Sequence, residues 1–324
     1  MGHRSRHAPH RGSLAYRPRK RASSIIPRVR TWTLSNAGGL AGLPAYKVGM
    51  GHLVYTESYK ASPNFGRDVS LPYTLLEVPP LSVLAIRVYS KGKSLGESWA
   101  NLDDKSIKKL KRRTGPGKGL PVEDLKKLGG DEVRLILATN PDQTGVGKKT
   151  PEILEVPLNS GDVETAIKQG QSLLGKTIVY GKDDAFQAFK PGAAIDAVAV
   201  SKGKGMAGPI ARFGMKLLPH KSRKTKRGPG ATGPQRPGVV PATVGRPGQM
   251  GFHHRVEHNK KIVLALEAGK FQFKGGIKHY GIPRSTVIGI SGSAPGPSKR
   301  LVVLRISTKG KPIEPPDIAF NSIK

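Results

Sequence analysis

The sequence predicts a mainly β protein with some α structure: a closed β barrel with an inserted α/β region, a long basic central loop and an extended amino-terminal arm. Two observations predict this fold class. Short apolar runs rich in β-branched residues recur along the chain, whereas helical periodicity is rare. A long segment without any period leaves the strand series and re-enters it, which is typical of a barrel with excursions.

The first 40 residues are predicted to form the extended basic arm. Pro9, Pro18 and Pro27 prevent a continuous helix, and apolar periodicity is absent. Residues 1–56 contain 10 Lys and Arg residues but no acid, because the first acidic residue is Glu57. A segment of this composition cannot bury a core of its own, so we expect it to reach outward.

Residues 41–200 are predicted to contain the first part of the barrel and the inserted α/β region. Apolar and β-branched runs predict strands from about residue 45 and over 73–78, 81–89, 132–138, 151–156 and 195–200. Pro79 and Pro80 separate two of these strands, because proline interrupts a strand ladder. Short surface helices are expected within 103–128, and a longer helix over 162–174 that Gly175 ends.

Residues 201–256 are predicted to form the long basic loop, and residues 257–324 the remainder of the barrel and the carboxyl terminus. Residues 202–255 contain 11 glycines and 7 prolines without a recognisable period. No acidic residue lies between Asp196 and Glu257. An irregular segment of this length is usually functional or disordered, and its charge indicates a function. Strands are expected again over 261–267, 286–290 and 301–306.

The charge distribution indicates a polyanionic partner. The net charge is +33, and the two acid-free stretches repel themselves unless an anion compensates them. Arms rich in Gly and Pro cannot present a helix to the major groove of DNA, but they can lie between packed RNA helices. We therefore expect an RNA-binding protein, with a general DNA-binding protein as an alternative.

The composition excludes or disfavours several other functions. The chain has no cysteine, which rules out disulfides, thiolate metal sites and cysteine nucleophiles. No run approaches the roughly 18 apolar residues of a membrane span, so no membrane partner is expected. The histidines lie mostly in basic stretches without acids nearby. No catalytic residues, small-molecule substrate or cofactor are therefore expected.

Residues 203–208 match the G-x-G-x-x-G pattern of dinucleotide-binding proteins and follow a predicted strand. That pattern also requires a helix that opens there and an acid about 20 residues later. Pro209 and an acid-free run follow instead, so no nucleotide site is expected. The glycines are predicted to let the backbone approach phosphates closely, with Lys202 and Lys204 supplying charge.

Residues 254–258 satisfy H-x-x-E-H, a pattern in which two histidines one helical turn apart bind zinc and a glutamate acts as base. A zinc-dependent hydrolase that uses His254, Glu257 and His258 is therefore a second alternative. A Gly-rich segment precedes the motif and a strand pattern follows it, so a long helix is not expected there. Contact of these histidines with RNA is favoured, and no metal is expected.

Six motifs occur in order along the chain. They are residues 12–21 (GSLAYRPRKR), 45–50 (AYKVGM) with His52, 201–208 (SKGKGMAG), 248–255 (GQMGFHHR) with Asn259 and Lys260, 275–276 (GG) with Tyr280 and Gly281, and 295–297 (PGP) with Lys299 and Arg300. Together they resemble universal large-subunit ribosomal protein three, in its archaeal and eukaryotic form. The resemblance extends from about residue 11 to residue 305.

The resemblance implies a β barrel whose arm and central loop enter the 23S rRNA of the large subunit and reach toward the peptidyl transferase region. It also implies a structural constituent of the cytoplasmic ribosome that supports early subunit assembly and is not an enzyme. The implied partners are the large-subunit rRNA and neighbouring ribosomal proteins, namely protein fourteen and the archaeal twenty-four-e type. Relatives usually carry Trp near the loop tip, where this chain has Gln235.

The candidate RNA-binding residues lie in the acid-free segments and in the motifs. Most are lysines and arginines, which bind phosphates, and the others are polar side chains able to hydrogen-bond RNA. The full set is Arg4, Arg6, Arg11, Arg17, Arg19, Lys20, Arg21, Lys202, Lys204, Arg212, Lys216, Lys221, Arg223, Lys224, Lys226, Arg227, Gln235, Arg236, Arg246, Gln249, His253, His254, Arg255 and Lys260.

Overall fold

Runs of aliphatic and β-branched residues form most of the strands, because such side chains fit a pleated, half-buried surface. The computed structural model describes residues 13, 16–34, 38–101, 119–233, 235–236, 238–267, 275–310, 312 and 315–322. Over these residues the chain is mainly β with a smaller share of helix, which confirms the predicted class of secondary structure.

The described residues form fourteen strands and three α-helices. In chain order they are β1 (Gly42–Thr56), β2 (Asp68–Glu77), β3 (Leu81–Ser90), β4 (Lys93–Trp99), α1 (Val122–Lys127), β5 (Glu132–Thr139), β6 (Ile153–Pro157), α2 (Val163–Leu173), β7 (Thr177–Ile178), β8 (Ala194–Val200), β9 (Gly203–Ala207), α3 (Pro209–Phe213), β10 (Gly248–Gly251), β11 (His254–Leu266), β12 (Val287–Ser291), β13 (Leu301–Ile306) and β14 (Asp317–Asn321). Short 3-10 helices span Pro141–Gln143 and Asp184–Phe189.

The chain divides into two compact units, each made of two separate stretches of sequence. Met1–Ser24 and Val200–His254 form the first, which we name the arm–loop unit. Ile25–Ala199 and Arg255–Lys324 form the second, which we name the β unit. A cut through the sequence at one position therefore cannot separate the two units.

In the described part of the β unit, two sheets pack with the helices α1 and α2. One sheet has the strand order β13-β8-β11-β12-β2-β1-β14, and β13 also pairs with β1, with Tyr46 opposite Leu301. The other has the order β4-β3-β5-β6, with β7 alongside β3. Leu125 of α1 and Ile167 of α2 are buried in the same hydrophobic core as the strands. The apolar faces of the helices thus cover sheet residues that would otherwise contact water.

A buried carboxylate attaches two connections of the β unit to β2. Glu77 is fully buried, and its oxygens accept hydrogen bonds from the backbone N–H groups of Gly145 (3.0 Å), Arg284 (2.7 Å) and Ser285 (2.8 Å). The Tyr280 hydroxyl donates to the same carboxylate, and its pKa is raised, first by burial and then by the negative charge of Glu77. A buried carboxylate needs hydrogen-bond donors to replace the water that it has lost. The donors here belong to the connection around Gly145 and the connection over 280–285, so Glu77 holds both in place.

A second buried carboxylate joins three strands of the β unit. Asp196 on β8 accepts hydrogen bonds from Arg305 Nη2 on β13 (2.9 Å) and from His258 Nδ1 on β11 (3.0 Å), and also from the Asn259 N–H (2.9 Å). Burial alone would raise the pKa of Asp196, but these hydrogen bonds outweigh it and hold the pKa below its usual value. The ionised form of Asp196 is therefore part of the native structure.

Several elements differ from the sequence prediction. The strands β4 and β14 were not expected, and β11 begins at His254, well before residue 261. The expectation of no regular structure over 202–255 is wrong at both ends of that segment, which form β9, α3 and β10. Within 103–128 the structure confirms a short helix, α1, while residues 102–118 lie outside the described residues.

Candidate nucleic-acid interface

The arm–loop unit has an extreme charge composition. It contains 18 Lys and Arg residues and no Asp or Glu, because both acid-free stretches of the sequence contribute to it. Within this unit no carboxylate can neutralise a guanidinium or an ammonium group. Backbone carbonyls and aromatic rings hold the arginines of the unit in place instead.

A two-stranded ribbon forms the base of the loop. Strands β9 and β10 are antiparallel, with Gln249 opposite Met206 and Gly251 opposite Gly203. Gly251 has a φ of 71°, and a Cβ added there would collide with the Lys202 carbonyl oxygen and lie 3.0 Å from the Lys204 nitrogen. Only glycine combines that backbone conformation with such close approach, so Gly251 is required for the pairing.

The arm is attached to the ribbon by backbone and imidazole hydrogen bonds. The Ala22 N–H donates to the Phe252 carbonyl (2.8 Å), and the buried imidazole of His253 donates through Nδ1 to the Lys20 carbonyl (2.9 Å). The guanidinium of Arg21 lies 5.2 Å from the centre of the Phe252 ring, within the range of a cation–π contact. Residues 20–22 thus lie against the end of the ribbon.

Three arginines meet at a single aromatic ring, that of Phe213 at the end of α3. The guanidinium carbons of Arg19, Arg212 and Arg17 lie 4.3, 5.1 and 5.4 Å from the ring centre. Two of these residues come from the arm and one from the loop. We name these four residues the Phe213 cluster.

Arg212 donates three side-chain hydrogen bonds to backbone carbonyls. Its Nε donates to the Gln249 carbonyl (3.0 Å), its Nη1 to the Arg246 carbonyl (3.0 Å) and its Nη2 to the Arg19 carbonyl (3.1 Å). In return Arg19 Nη1 donates to the Arg212 carbonyl (2.6 Å), while Arg17 donates to the Ala242 carbonyl. The pKa of Arg212 is lowered, first by burial and then by the positive charge of Arg17.

The predicted binding residues occupy three kinds of position in the arm–loop unit. His253 is buried, and Arg17, Arg19, Arg212 and Gln249 are half-buried, with the Gln249 amide donating to the Met250 and Gly251 carbonyls. The exposed residues are Lys20, Arg21, Lys202, Lys204, Lys216, Lys221, Arg223, Lys224, Lys226, Arg227, Gln235, Arg236, Arg246 and His254. The candidates Arg4, Arg6 and Arg11 lie outside the described residues.

Two candidates, Arg255 and Lys260, belong to the β unit. Both are half-buried on β11, and Lys260 Nζ lies 3.2 Å from a carboxylate oxygen of Glu257. An ion pair within the protein reduces the charge that Lys260 can offer to a phosphate. The structure thus separates these two residues from the candidates that lie in the arm–loop unit.

The G-x-G-x-x-G segment does not form a dinucleotide site. A helix does open after it, since α3 begins at Pro209, and the expectation that none would follow is wrong. However, residues 203–207 are themselves strand β9, α3 has only five residues, and the next acid is Glu257. The turn and the ribose-binding acid that define the fingerprint are both missing from this segment.

The H-x-x-E-H segment lies on strand β11, which excludes the geometry of a zinc hydrolase. Four residues along a strand separate His254 from His258 by about 13 Å, too far for one metal ion. His258 is bound to Asp196, and Glu257 to Lys260. Across the described residues, no group of three or more His, Cys, Asp or Glu side chains is arranged to hold a metal ion.

Sequence reasoning missed the role of Phe213. Its signal was the presence of an aromatic residue directly after an arginine, within an acid-free segment that contains few aromatic side chains. It also missed Met206, whose side chain is 83% exposed on the ribbon beside Lys204. An apolar side chain so exposed on a basic surface is available to pack against a base or a sugar.

These features define the class of the protein: a basic nucleic-acid-binding protein in which an acid-free unit accompanies a β-rich scaffold. A sequence model of the family described as Ribosomal protein L3 matches residues 1–314. The chain therefore belongs to the ribosomal protein L3 family.

Curated archaeal proteins are similar to the chain over nearly its whole length. Large ribosomal subunit protein uL3 of Caldivirga maquilingensis is 42% identical, with 96% of this chain and 91% of the relative covered. The proteins of the same name from Archaeoglobus fulgidus and Methanocaldococcus jannaschii are 41% and 38% identical, and cover 98% and 97% of this chain. The alignments cover 95% and 96% of those two relatives.

Membership of this family has direct consequences. The chain is a structural protein of the large ribosomal subunit on the cytoplasmic ribosome, and the family is not known to be enzymatic. Its partners are ribosomal RNA and other ribosomal proteins. Among the described helices, none has the length and apolar character needed to cross a membrane.

Proposed function

We propose that the arm–loop unit is the main 23S rRNA-binding surface of the protein. The observation that carries this proposal is that two sequence segments without any acid, holding 18 Lys and Arg residues, form one compact unit. Phosphates supply the missing negative charge, and the exposed lysines and arginines of the unit contact them. Gln235, at the position where relatives usually have Trp, contacts a base edge or a sugar through its amide.

The salt dependence of binding follows from this interface. If six to ten phosphates are contacted, affinity falls by about 10³ to 10⁵ between 50 and 200 mM salt. Duplex DNA of matched length serves as the competitor, because a general DNA-binding protein would not distinguish it from structured RNA. Weak salt dependence, or equal affinity for both nucleic acids, contradicts the proposal.

We propose that the β unit is a closed barrel. Its support is that β13 pairs with both β8 and β1, so that the strand pairings return to their starting point. Within this architecture, residues 1–40 serve as the arm, 201–256 as the loop, and 41–200 with 257–324 as the barrel and its insertion. Amides over 42–46 and 301–305 then exchange as slowly as those of β8, and rapid exchange at both would contradict closure.

We further propose that the loop tip supports subunit assembly and extends toward the peptidyl transferase region. The family resemblance supports this role, as does the exposure of Lys221, Arg223, Lys224, Lys226, Arg227 and Arg236. Ribosomal protein fourteen and the archaeal twenty-four-e type are the proposed protein neighbours. Cross-linking from cysteines introduced at exposed β-unit positions tests both neighbours without competing native thiols, since the chain has no cysteine.

The decisive experiment replaces residues 219–240 by a Gly/Ser segment of equal length, which removes six lysines and arginines but keeps the Phe213 cluster. The control exchanges those six residues between Lys and Arg, so the charge is unchanged. We expect the neutral variant to enter 50S particles poorly and to lose up to about 5 from the slope of log affinity against log salt. Equal incorporation of both variants would refute the proposed role.

A further inference from the structure

We propose that Arg212 and Phe213 are positioning residues that fasten the amino-terminal arm to the loop, so that arm and loop meet RNA as one preassembled surface. This inference deepens the proposed RNA binding and depends on it for its functional consequence. Its structural part concerns the protein without RNA. The two parts can therefore fail separately.

The hydrogen bonds of Arg212 support a role inside the protein. Three of its nitrogen atoms donate to backbone carbonyls, two of which belong to the loop and one to Arg19 of the arm. A guanidinium has five N–H groups arranged in a fixed plane, so bonds in three directions fix both its position and its orientation. Arg212 thus joins three chain segments that lie far apart in sequence, near residues 19, 212 and 246–249.

Phe213 provides the surface on which the arm rests. Arg17 and Arg19 both place their guanidinium groups against its ring, at 5.4 and 4.3 Å from the ring centre. The electron-rich face of an aromatic ring attracts cations, and the attraction is larger where water is partly excluded. Three positive groups around one ring also repel each other, so the ring and the carbonyls compensate for a repulsion that no carboxylate in the unit relieves.

The surrounding loop leaves room for this arrangement. A Cβ added at Gly245, which is buried, would lie 2.8 Å from the Met215 sulfur and 3.1 Å from the Phe213 ring. A side chain at that position would therefore displace the ring from the arginines. The close packing of Gly245 against Phe213 indicates that contacts within the loop also hold the ring in position.

The consequence concerns how RNA binding is divided among the arginines. Lys20, Arg21 and Lys202 are exposed around the attachment, while Arg212 is directed inward. We therefore assign phosphate contact to the exposed residues and positioning to Arg212. Losing Arg212 releases the arm and removes several phosphate contacts at once, whereas losing one exposed arginine removes a single contact.

The structural part is tested by amide hydrogen exchange of Ala22 in the full-length protein without RNA. We expect Arg212→Gln and Phe213→Ala to accelerate this exchange by roughly tenfold or more, since each removes several contacts of the arm. Arg19→Ala removes the contacts with Arg212 and Phe213 from the side of the arm. Because it changes no residue of the loop, it controls for damage to the loop itself. Arg223→Ala removes one exposed charge away from these contacts and leaves the exchange rate unchanged.

The functional part is tested by the salt dependence of binding to a 23S rRNA fragment. Arg223→Ala lowers the slope by about one contact, roughly 0.9, whereas Arg212→Gln lowers it by several times that amount. When Lys20 and Arg21 are already alanine, Arg212→Gln lowers this slope by a smaller additional amount, because those phosphate contacts of the arm are already lost.

The results distinguish the two proposals. Unchanged Ala22 exchange in Arg212→Gln, Phe213→Ala and Arg19→Ala overturns the positioning role, whatever the affinity for RNA. Additive effects of the arm and Arg212 substitutions on RNA binding overturn the idea of one shared surface. A wild-type protein with an attached arm but no salt-dependent RNA binding overturns the proposed function instead.

Discussion

The two units of the molecule hold their arginines in different ways. The arm–loop unit has 18 Lys and Arg residues and no acid, while the β unit has 37 with all 22 acids of the chain. In the β unit, Arg305 is held by the buried carboxylate of Asp196. In the arm–loop unit, Arg212 is held by three carbonyls and lies against an aromatic ring.

This difference shows where each unit obtains its neutralising charge. Carboxylates inside the β unit neutralise several of its buried or half-buried arginines, such as Arg305 and Arg87. Carbonyl groups orient the arginines of the arm–loop unit but leave their positive charge unneutralised. The β unit thus has internal partners for Arg305 and Arg87, whereas the charge of the arm–loop unit remains for the proposed RNA partner.

The largest effect expected from this comparison is on the β unit. Asp196→Ala leaves the guanidinium of Arg305 buried without its carboxylate, and we expect a loss of about 3–5 kcal/mol in the free energy of unfolding. Denaturant unfolding monitored by far-UV circular dichroism measures it. A loss below about 1 kcal/mol would mean that the β unit, too, does not depend on internal carboxylates.

A smaller and local effect is expected in the ribbon. Gly251→Ala introduces a Cβ that collides with the Lys202 carbonyl at a positive φ, and strain of this kind costs about 1–3 kcal/mol. The Phe252 N–H donates to the Lys202 carbonyl, so this strain should be measurable as faster hydrogen exchange of the Phe252 amide. Gly208→Ala is the matched control, because a Cβ there meets no atom within 4 Å. Equal exchange in the two variants would contradict the proposed close approach.

The pH dependence separates the units further. The pKa of Asp196 is lowered in the folded state, so its stabilisation is present above the unfolded pKa and is lost as pH falls through the folded pKa. We expect acid to destabilise the β unit in the wild type and less steeply in Asp196→Asn. Unfolding curves collected from neutral to acidic pH compare the two. Parallel pH profiles would show that Asp196 is not responsible.

The smallest effect is expected at an exposed ion pair of the β unit. Asp124 and Lys127 lie 3.0 Å apart, but their side chains are 47% and 78% exposed, so water and salt screen the pair. Asp124→Ala should leave the midpoint of denaturant unfolding unchanged. A clear loss of stability would show that surface pairs also contribute to this unit.

The local sequence is sufficient to predict those strands that consist mainly of apolar residues. β8 and β13 are aliphatic apart from Asp196 and Arg305, and the apolar pattern predicts both strands within one residue of their observed ends. β4 has the sequence KSLGESW, which has no strand pattern, and it becomes a strand because it pairs with β3, with Trp99 opposite Ala85. Such a strand is determined by its neighbour, which a single-sequence pattern does not contain.

The candidate site was predictable as a composition but not as an arrangement. The absence of acids marked both stretches that form the arm–loop unit, and most of the candidate lysines and arginines are exposed there. The inward direction of Arg212 could not be foreseen, because two of its partners lie more than 30 residues away and the third, Arg19, lies in the arm. Residue type alone does not distinguish an arginine that binds phosphate from one that binds carbonyls.

The carbonyl-bound guanidinium of Arg212 has a consequence for how the protein behaves when ribosomes are washed. Concentrated electrolyte weakens attraction between the protein and phosphates, but it also shields the arm–loop cations from each other. Hydrogen bonds to uncharged carbonyls are much less sensitive to this shielding. We therefore expect that the protein extracted at high salt keeps its arm attached to the loop. It then rebinds RNA without having to form this attachment again.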